Sequence, residues 1–475
     1  MPLLLLLPAA LLVAVGLYQR LKPMPPGLDF AGREHPATGL RLLTDCTALA
    51  QPGAPGSGQQ IFDAFFAAIR AARRLIVLDV FLYNSFTGTA GCQCQLRPLA
   101  EELTDCLLAQ KGRYPQLTIV VITDPINTVY GSITSPHFAR LTAAGITVVA
   151  TDLNRLRDSN PCYSALWHLC CRPWGAGPGR LAANPFDPGR ISLRSYLRLL
   201  NFKANHRKVL IADHGDTMLG LVSSANPHGA SSSHTNVGLA LTGPAVLDLL
   251  ASERAVLAFS GDPRCIPAVA PLPAATPDAG AATVQIVTER AIKRTALAAI
   301  DSTAAGDRID LLIFYLTDRR LIRSLKAAQR RGAILRILLD PTKDAFGRAR
   351  QGVPNRQVGN ELHRAGIPVR WADTDDEQCH AKMLAISRQD GDHLLLLGSA
   401  NFTRRNLDNY NLETDVAVRG KGEHGVFADA GRFFDALWHN REGRRGSLDY
   451  AAFADPSPLR RLLYRFLEAT GLSTF

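Results

Sequence analysis

Two copies of one short pattern hold the residues that could do chemistry. The first has His206, Lys208 and Asp213 in NHRKVLIAD, followed by Ser224, Ala225 and Asn226. The second has His380 and Lys382 in CHAKMLAIS, followed by Ser399, Ala400 and Asn401. His206 to Asn226 spans 20 positions, and His380 to Asn401 spans 21. On an extended strand, side chains at i and i+2 share a face. Each His therefore stands beside its Lys, while Arg207 and Ala381 point the other way. Packed about a pseudo-two-fold axis, two imidazoles and two ammonium groups converge, and Asn226 and Asn401 add amide donors. Ser224 and Ser399 serve either a phosphate oxygen, the histidine surroundings or a turn.

A cationic, donor-rich pocket of this kind suits a phosphodiester, whose nonbridging oxygens gain charge in the transition state. One histidine can attack phosphorus and form a phosphohistidine. The other can protonate the leaving alkoxide and then deprotonate an incoming alcohol or water. Lys208 and Lys382 supply positive charge, so the scheme requires no metal and no cofactor. No dense cluster of Asp, Glu and His surrounds either motif.

The elements that must position these residues are also duplicated. RLIVLDVFLYN from Arg74 parallels RIDLLIFYLTD from Arg308, and each apolar run follows a helix-like stretch. In the first of those stretches Ile61, Phe65 and Ile69 share a face. LTIVVITDP, ending at Pro125, parallels ILRILLDP, ending at Pro341, and LTAAGITVV from Leu141 parallels LHRAGIPVR from Leu362. Asp124-Pro125 and Asp340-Pro341 read as strand-end turns. Helices alternating with strands predict two similar α/β/α sandwich domains sharing one site at their pseudo-two-fold interface. A Pro- and Ala-rich stretch, Gly261 to Thr283, separates them. The expected division is an N-terminal segment at 1–25, a first domain at 27–265, a linker at 266–280 and a second domain at 281–475.

The halves differ in length between their third helices and their motifs. Gly145 to His206 is 61 positions, whereas Gly366 to His380 is 14. The first half thus carries an insertion at about 152–200, holding Leu166, Trp167 and Trp174. It reads equally as a lid or lipid-entry rim and as a small subdomain with its own core. At the C-terminus Leu459, Leu462, Leu463, Phe466 and Leu467 recur at helical spacing among Arg460, Arg461 and Arg465. That pattern fits a helix docked on its own domain or one lying on a membrane.

Composition narrows the partners. The chain of 475 residues is 47% hydrophobic and 20% charged, which excludes wholesale disorder. With 53 Lys and Arg against 42 Asp and Glu, the formal charge of +11 favours an anionic partner: phospholipid, nucleic acid or a phosphorylated small molecule. The nine cysteines include Cys92 and Cys94, and the adjacent Cys170 and Cys171, with no zinc-finger spacing. They read as buried thiols, or as one or two disulfides in an exported domain. Leu3 to Tyr18 is an uncharged apolar run followed by Arg20 and Lys22. It reads as an uncleaved inner-membrane anchor, with a cleaved signal as the other reading. The positive-inside rule places the following domain in the cytoplasm.

The doubled motif resembles the signature of the phospholipase D superfamily, HxKxxxxD followed by Gly/Ser-x-Asn. His206, Lys208 and Asp213 match in full, whereas Ser387 stands where the second motif usually has Asp. The resemblance implies a supporting role for that Asp, and it covers both halves. It also implies that the first-motif histidine is the nucleophile and the second the general acid. One asymmetry in the chain bears on this. HTNVGLAL from His234 parallels NYNLETDV from Asn409, so Glu413 aligns with Gly238. Glu413 is expected to partner His380, stabilising its imidazolium for the acid role. His214, His228 and His234 are expected to be loop or surface groups.

The leading functional expectation is a membrane-associated phosphodiesterase or phosphatidyltransferase acting on glycerophospholipids. The layout is similar to that of bacterial cardiolipin synthases, which implies phosphatidyl transfer, with plain phospholipase D hydrolysis beside it. A nuclease of the same superfamily would also suit the charge, but no platform of aromatics interleaved with basic residues stands out. A non-catalytic lipid binder is the remaining reading.

Overall fold

The computed structural model describes residues 2–46, 58–86, 96–175, 177, 179–269, 276–342, 344–345, 348–349, 352–374, 377–441, 445–473 and 475. Cys92 and Cys94 lie outside these residues. The strands of the two main sheets are, in chain order, β1 (His35–Pro36), β2 (Arg41–Asp45), β3 (Leu75–Val80), β4 (Thr118–Thr123), β5 (Thr147–Ala150), β6 (Lys208–His214), β7 (Thr217–Ser223) and β8 (Asn236–Thr242). They continue as β9 (Ala282–Thr288), β10 (Arg308–Ile313), β11 (Ile334–Leu339), β12 (Val369–Ala372), β13 (Lys382–Ser387), β14 (Asp392–Gly398), β15 (Thr414–Lys421) and β16 (Ser447–Asp449).

The first sheet runs β2-β8-β7-β6-β3-β4-β5, and the second runs β1-β9-β15-β14-β13-β10-β11-β12-β16. Apart from β1 and β16, the orders are the same, and β3, β4 and β5 are parallel as are β10, β11 and β12. β3 is buried along its whole length, as its Leu-Ile-Val-Leu start requires when both faces of a sheet are covered. Helices Gln60–Ala71, Leu99–Arg113 and Pro136–Ala143 cover the outer face of the first sheet. Arg290–Asp301, Arg319–Arg330 and Asn355–Arg364 do the same for the second. The duplicated α/β architecture is therefore present. The sequence reading missed the strand that opens each half, β2 and β9.

One hydrophobic core joins the halves. It draws Val77, Val209 and Val222 from the first sheet, Ile286, Met383 and Val416 from the second, and residues of the inner helices Ala245–Ser260 and Gly425–His439. The stretch before β2 crosses over. β1 pairs with β9, and Phe30 and Gly32 donate to Thr288 Oγ1 and Ile286 O at 2.8 Å. Residues from the first part of the chain thus edge the second sheet.

The insertion holds a helix, Pro161–Leu166, continuing as helical turns through Trp174. The N-terminal helix, Pro2–Leu21, lies on it along a narrow stripe at Gly16, where a Cβ would meet the Pro161 carbonyl at 3.2 Å. Lys22 Nζ donates to Gln19 and to the Asn154 carbonyl, fixing the helix end. Within the insertion Trp167 is buried and Trp174 exposed. Among the described residues, no helix is long and apolar enough to cross a membrane.

The C-terminal helix, Pro458–Thr470, docks on the body, but not by the face its apolar periodicity suggested. Tyr464 and Glu468 are buried, whereas Leu459, Leu462, Leu463 and Phe466 are 77, 68, 48 and 53% exposed. Polar bonds hold it: Arg319 donates to Tyr464 Oη (2.5 Å), and Thr317 to Glu468 (2.8 Å). Cys379 is buried while Cys162 and Cys170 are exposed, so burial does not extend to all thiols.

Candidate active site

The two motif strands, β6 and β13, begin side by side where the halves meet. Backbone bonds fasten each start to the opposite half: His206 N donates to Leu412 O (2.9 Å), and Thr235 N to Gln378 O (3.0 Å). Asp124 accepts from Asn205 N (2.7 Å) and Asp340 from Cys379 N (2.9 Å). The two Asp-Pro turns therefore orient the residue before each histidine.

The imidazoles of His206 and His380 face each other edge to face, with ring centres 6.4 Å apart. Each lies against a phenylalanine from the end of a duplicated strand, Phe81 at 4.9 Å and Phe314 at 5.0 Å. Each lysine returns to its own histidine's carbonyl, Lys208 at 2.6 Å and Lys382 at 2.5 Å, and sits over the same phenyl ring. The convergence anticipated for His206, Lys208, His380 and Lys382 is thus what the fold produces. Phe81 and Phe314 were legible as a repeated Phe but were not singled out.

The partners of the two histidines differ, and here the expectation for Glu413 is overturned. The Glu413 carboxylate lies 3.0 Å from Nδ1 of His206, not beside His380. The motif strands cross the interface, so each imidazole reaches groups on the other half. Nδ1 of His380 donates to the Ser224 carbonyl (3.0 Å), with Asn236 Oδ1 at 3.3 Å. Because a carbonyl only accepts, the Nδ1–H tautomer of His380 is fixed. Glu413 also accepts from Ser399 Oγ and from Asn406 Nδ2. The equivalent position in the first half is Asn236, two residues before the Gly238 that the repeat alignment paired with Glu413, because Ser224 N donates to Val237 O as Ser399 N does to Thr414 O.

Ser224 and Ser399 are fully buried and serve these partners rather than a ligand. Ser224 Oγ donates to Asn236 Oδ1 (2.9 Å), mirroring Ser399 on Glu413. Asn226 Oδ1 accepts from Leu82 N at 3.3 Å. Asn401 Oδ1 is buried and has no hydrogen-bond partner among the described residues. Asp213, at the far end of β6, accepts the backbone N–H groups of Arg73, Arg74 and Leu75 at 2.8–3.1 Å. At Ser387 the second half lacks this clasp. There Asp307, from the neighbouring strand's entry, accepts from Gln389 N at 3.0 Å and Ala304 N at 2.9 Å. His234, read as a loop or surface group, lies 6.0 Å from the His380 ring.

Burial dominates the electrostatics. It holds His206 and His380 well below the ordinary histidine range, and the neighbouring lysines add to the effect. It pulls Lys208 down to about 7 against the attraction of Glu413, and Lys382 well below its ordinary value, assisted by Lys208. Burial likewise raises Glu413 well above the ordinary carboxyl value, opposed by Lys208. An incoming phosphate anion would favour the protonated lysines. No group of three or more His, Cys, Asp or Glu that could hold a metal occurs among the described residues.

The arrangement is two opposed imidazoles flanked by two lysine amines, each imidazole bonded at Nδ1 from the opposite half. Residues 297–438 match the family model for the phospholipase D-like domain of cardiolipin synthase. The chain carries a phospholipase D-like domain. Phosphatidylserine synthase from Haemophilus influenzae Rd KW20 shares the fold: TM-score 0.55 at 11% identity, covering 86% of this chain and 91% of that one. Polyphosphate kinase from Porphyromonas gingivalis aligns at TM-score 0.45 and 12% identity, over 90% of this chain and 52% of that one. Nuc, a phospholipase D family member from Salmonella typhimurium, aligns at TM-score 0.27 and 22% identity, over 35% and 99%. Among curated proteins, none matches the sequence. The phospholipase D-like match lies in the second half and includes His380, Lys382 and Glu413. The first half repeats the same strand order around His206 and Lys208.

Proposed function

We propose that this phospholipase D-like chain is a membrane-associated phosphodiesterase or phosphatidyltransferase acting on glycerophospholipids, with His206 as nucleophile and His380 as general acid and base. The observation that carries the reading is the pair of imidazoles at 6.4 Å, each fixed by its Nδ1 partner so that Nε2 is the reactive atom. The lipid substrate class is supported by the cardiolipin synthase family model and by the fold shared with a phosphatidylserine synthase.

The roles rest on a different basis from the sequence argument. When Nε2 of His206 attacks phosphorus, the N–P bond forms and the P–O bond to the leaving alcohol breaks. Positive charge then develops on the ring, where Glu413 stabilises it through Nδ1. His380 must first take up a proton at Nε2, which the charge of the bound phosphodiester favours against its burial, and it then gives that proton to the departing alkoxide. Its Nδ1 partner is a neutral carbonyl, which stabilises imidazolium less than a carboxylate does and so leaves it the stronger acid. In the second step Nε2 of His380 takes the proton from water or an alcohol, whose oxygen attacks phosphorus as the N–P bond breaks. Water releases phosphatidic acid, and an alcohol gives a new phospholipid.

The test is incubation of the purified protein with phosphatidylglycerol vesicles, with and without glycerol, followed by mass spectrometry of the lipids. Cardiolipin supports phosphatidyl transfer and phosphatidic acid supports hydrolysis. Absence of any lipid product overturns the lipid substrate.

A further inference from the structure

The C-terminal helix wears its amphipathy inside out. Its polar residues Tyr464 and Glu468 are buried on the body, and Leu459, Leu462, Leu463 and Phe466 face solvent. A helix docked for stability would do the reverse. Arg461 and Arg465 are exposed among those apolar residues. We propose that this helix is a docking surface for an anionic phospholipid bilayer, one that sets the catalytic histidines at the lipid interface. The inference deepens the lipid reading above and rests on it for the substrate.

Three observations select a bilayer as the occupant. The first is charge: exposed arginines beside exposed leucines match an acyl boundary under anionic headgroups, and the chain is formally +11. The second is continuity with a second exposed apolar helix. A Cβ on Gly471, which ends the C-terminal helix, would strike the Ser159 carbonyl, and Arg405 donates to both residues. Two residues later, Pro161 touches Gly16 of the N-terminal helix. On that helix Leu7, Leu11, Val13 and Leu17 are all more than half exposed. Two apolar helices thus meet at residues 159–161. The third is connection to the chemistry. Leu467 and Phe475 pack into a cluster with Tyr315 and Phe314, and Phe314 lies against His380.

The test replaces Leu462 with the photoreactive benzoylphenylalanine in the full chain, held in bilayer discs containing phosphatidylglycerol. Illumination is expected to add the mass of a phospholipid to the peptide carrying position 462. The control is Ile334, which is exposed and apolar but sits at the strand end opposite the histidines, since it pairs with Arg308 rather than near Ile313. It should gain no lipid mass. A cross-link to a second copy of the chain, or no lipid adduct at 462, overturns the proposal. In a second arm, the Leu462→Glu/Phe466→Glu variant is expected to lose at least about tenfold in turnover of phosphatidylglycerol vesicles. Turnover of monomeric dihexanoyl phosphatidylglycerol should stay within about twofold. Equal loss on both substrates overturns docking. If the unaltered chain turns over neither substrate, the function reading fails, and the cross-link still decides the surface.

Discussion

Glu413 and His206 stand 3.0 Å apart across the junction of the two halves, so the carboxylate aligned with one motif serves the histidine of the other. Replacing it with glutamine keeps an acceptor for Nδ1 but removes the charge. Glu413→Gln is expected to lower kcat by about 10²-fold or more, with KM for lipid nearly unchanged. Steady-state kinetics beside a thermal melt checks this. An unchanged kcat in a folded variant would remove Glu413 from the mechanism.

The two histidines should separate under a change of leaving group. A phosphodiester with a p-nitrophenyl group needs no proton on departure. On such a substrate His380→Ala should retain a burst of nitrophenol and accumulate phosphohistidine at His206. His206→Ala should lose both, with a rate loss of about 10²–10⁴-fold. Mass-spectrometric mapping of the phosphoryl group to His380 in the native chain would reverse the roles.

Lys208 gives the site a pH signature. Below about 7 it holds its proton in the folded and unfolded chains alike. Between about 7 and its ordinary 10.5, the unfolded chain keeps the proton and the folded chain does not. Stability from this group therefore rises with pH through that window. A bound phosphate anion favours the ammonium, so above about 7 binding takes up a proton and weakens by up to about tenfold per pH unit. Calorimetry with inorganic phosphate at pH 8, in buffers of different ionisation enthalpy, should register proton uptake. Heats independent of the buffer would contradict this account.

Arg207, between His206 and Lys208, is fully buried on the opposite face of the strand. It binds Glu253 at 3.1 Å in its own half and Glu289 at 2.8 Å in the other. Arg207→Ala strands two buried carboxylates and should cost about 3–5 kcal/mol in denaturant unfolding. Asp213→Ala frees three backbone N–H groups at the start of β3 and should cost about 1–3 kcal/mol. Its kcat should fall far less than that of Glu413→Gln, because the clasp sits at the end of β6 away from His206.

Much of this was legible because it is local. Buried strands such as LIVLDV and TIVVIT announce themselves by apolar runs broken only at Asp79 and at the terminal Thr118 and Thr123, and the i, i+2 rule put His206 beside Lys208 without any tertiary knowledge. What failed was long-range. The alignment of Glu413 with Gly238 was two residues out of register, since Asn236 takes that place, and an alignment of repeats says nothing of which half each strand end faces. The exchange arises from packing the two sheets around a common core. Burial of Ser224 and Ser399 likewise follows from that packing, and so does the contact of His234 with His380. The C-terminal helix shows the same limit: spacing revealed an apolar face, while buried partners for Tyr464 and Glu468 decided which way it turned.

The Asn236–Glu413 difference has a consequence for symmetry. If two copies of the first half paired as the two halves do here, each histidine would meet an asparagine, and neither would have a carboxylate. Two copies of the second half would give both histidines one. Only the unlike pair supplies a single carboxylate to a single histidine, and joining the halves in one chain holds that pairing at one to one.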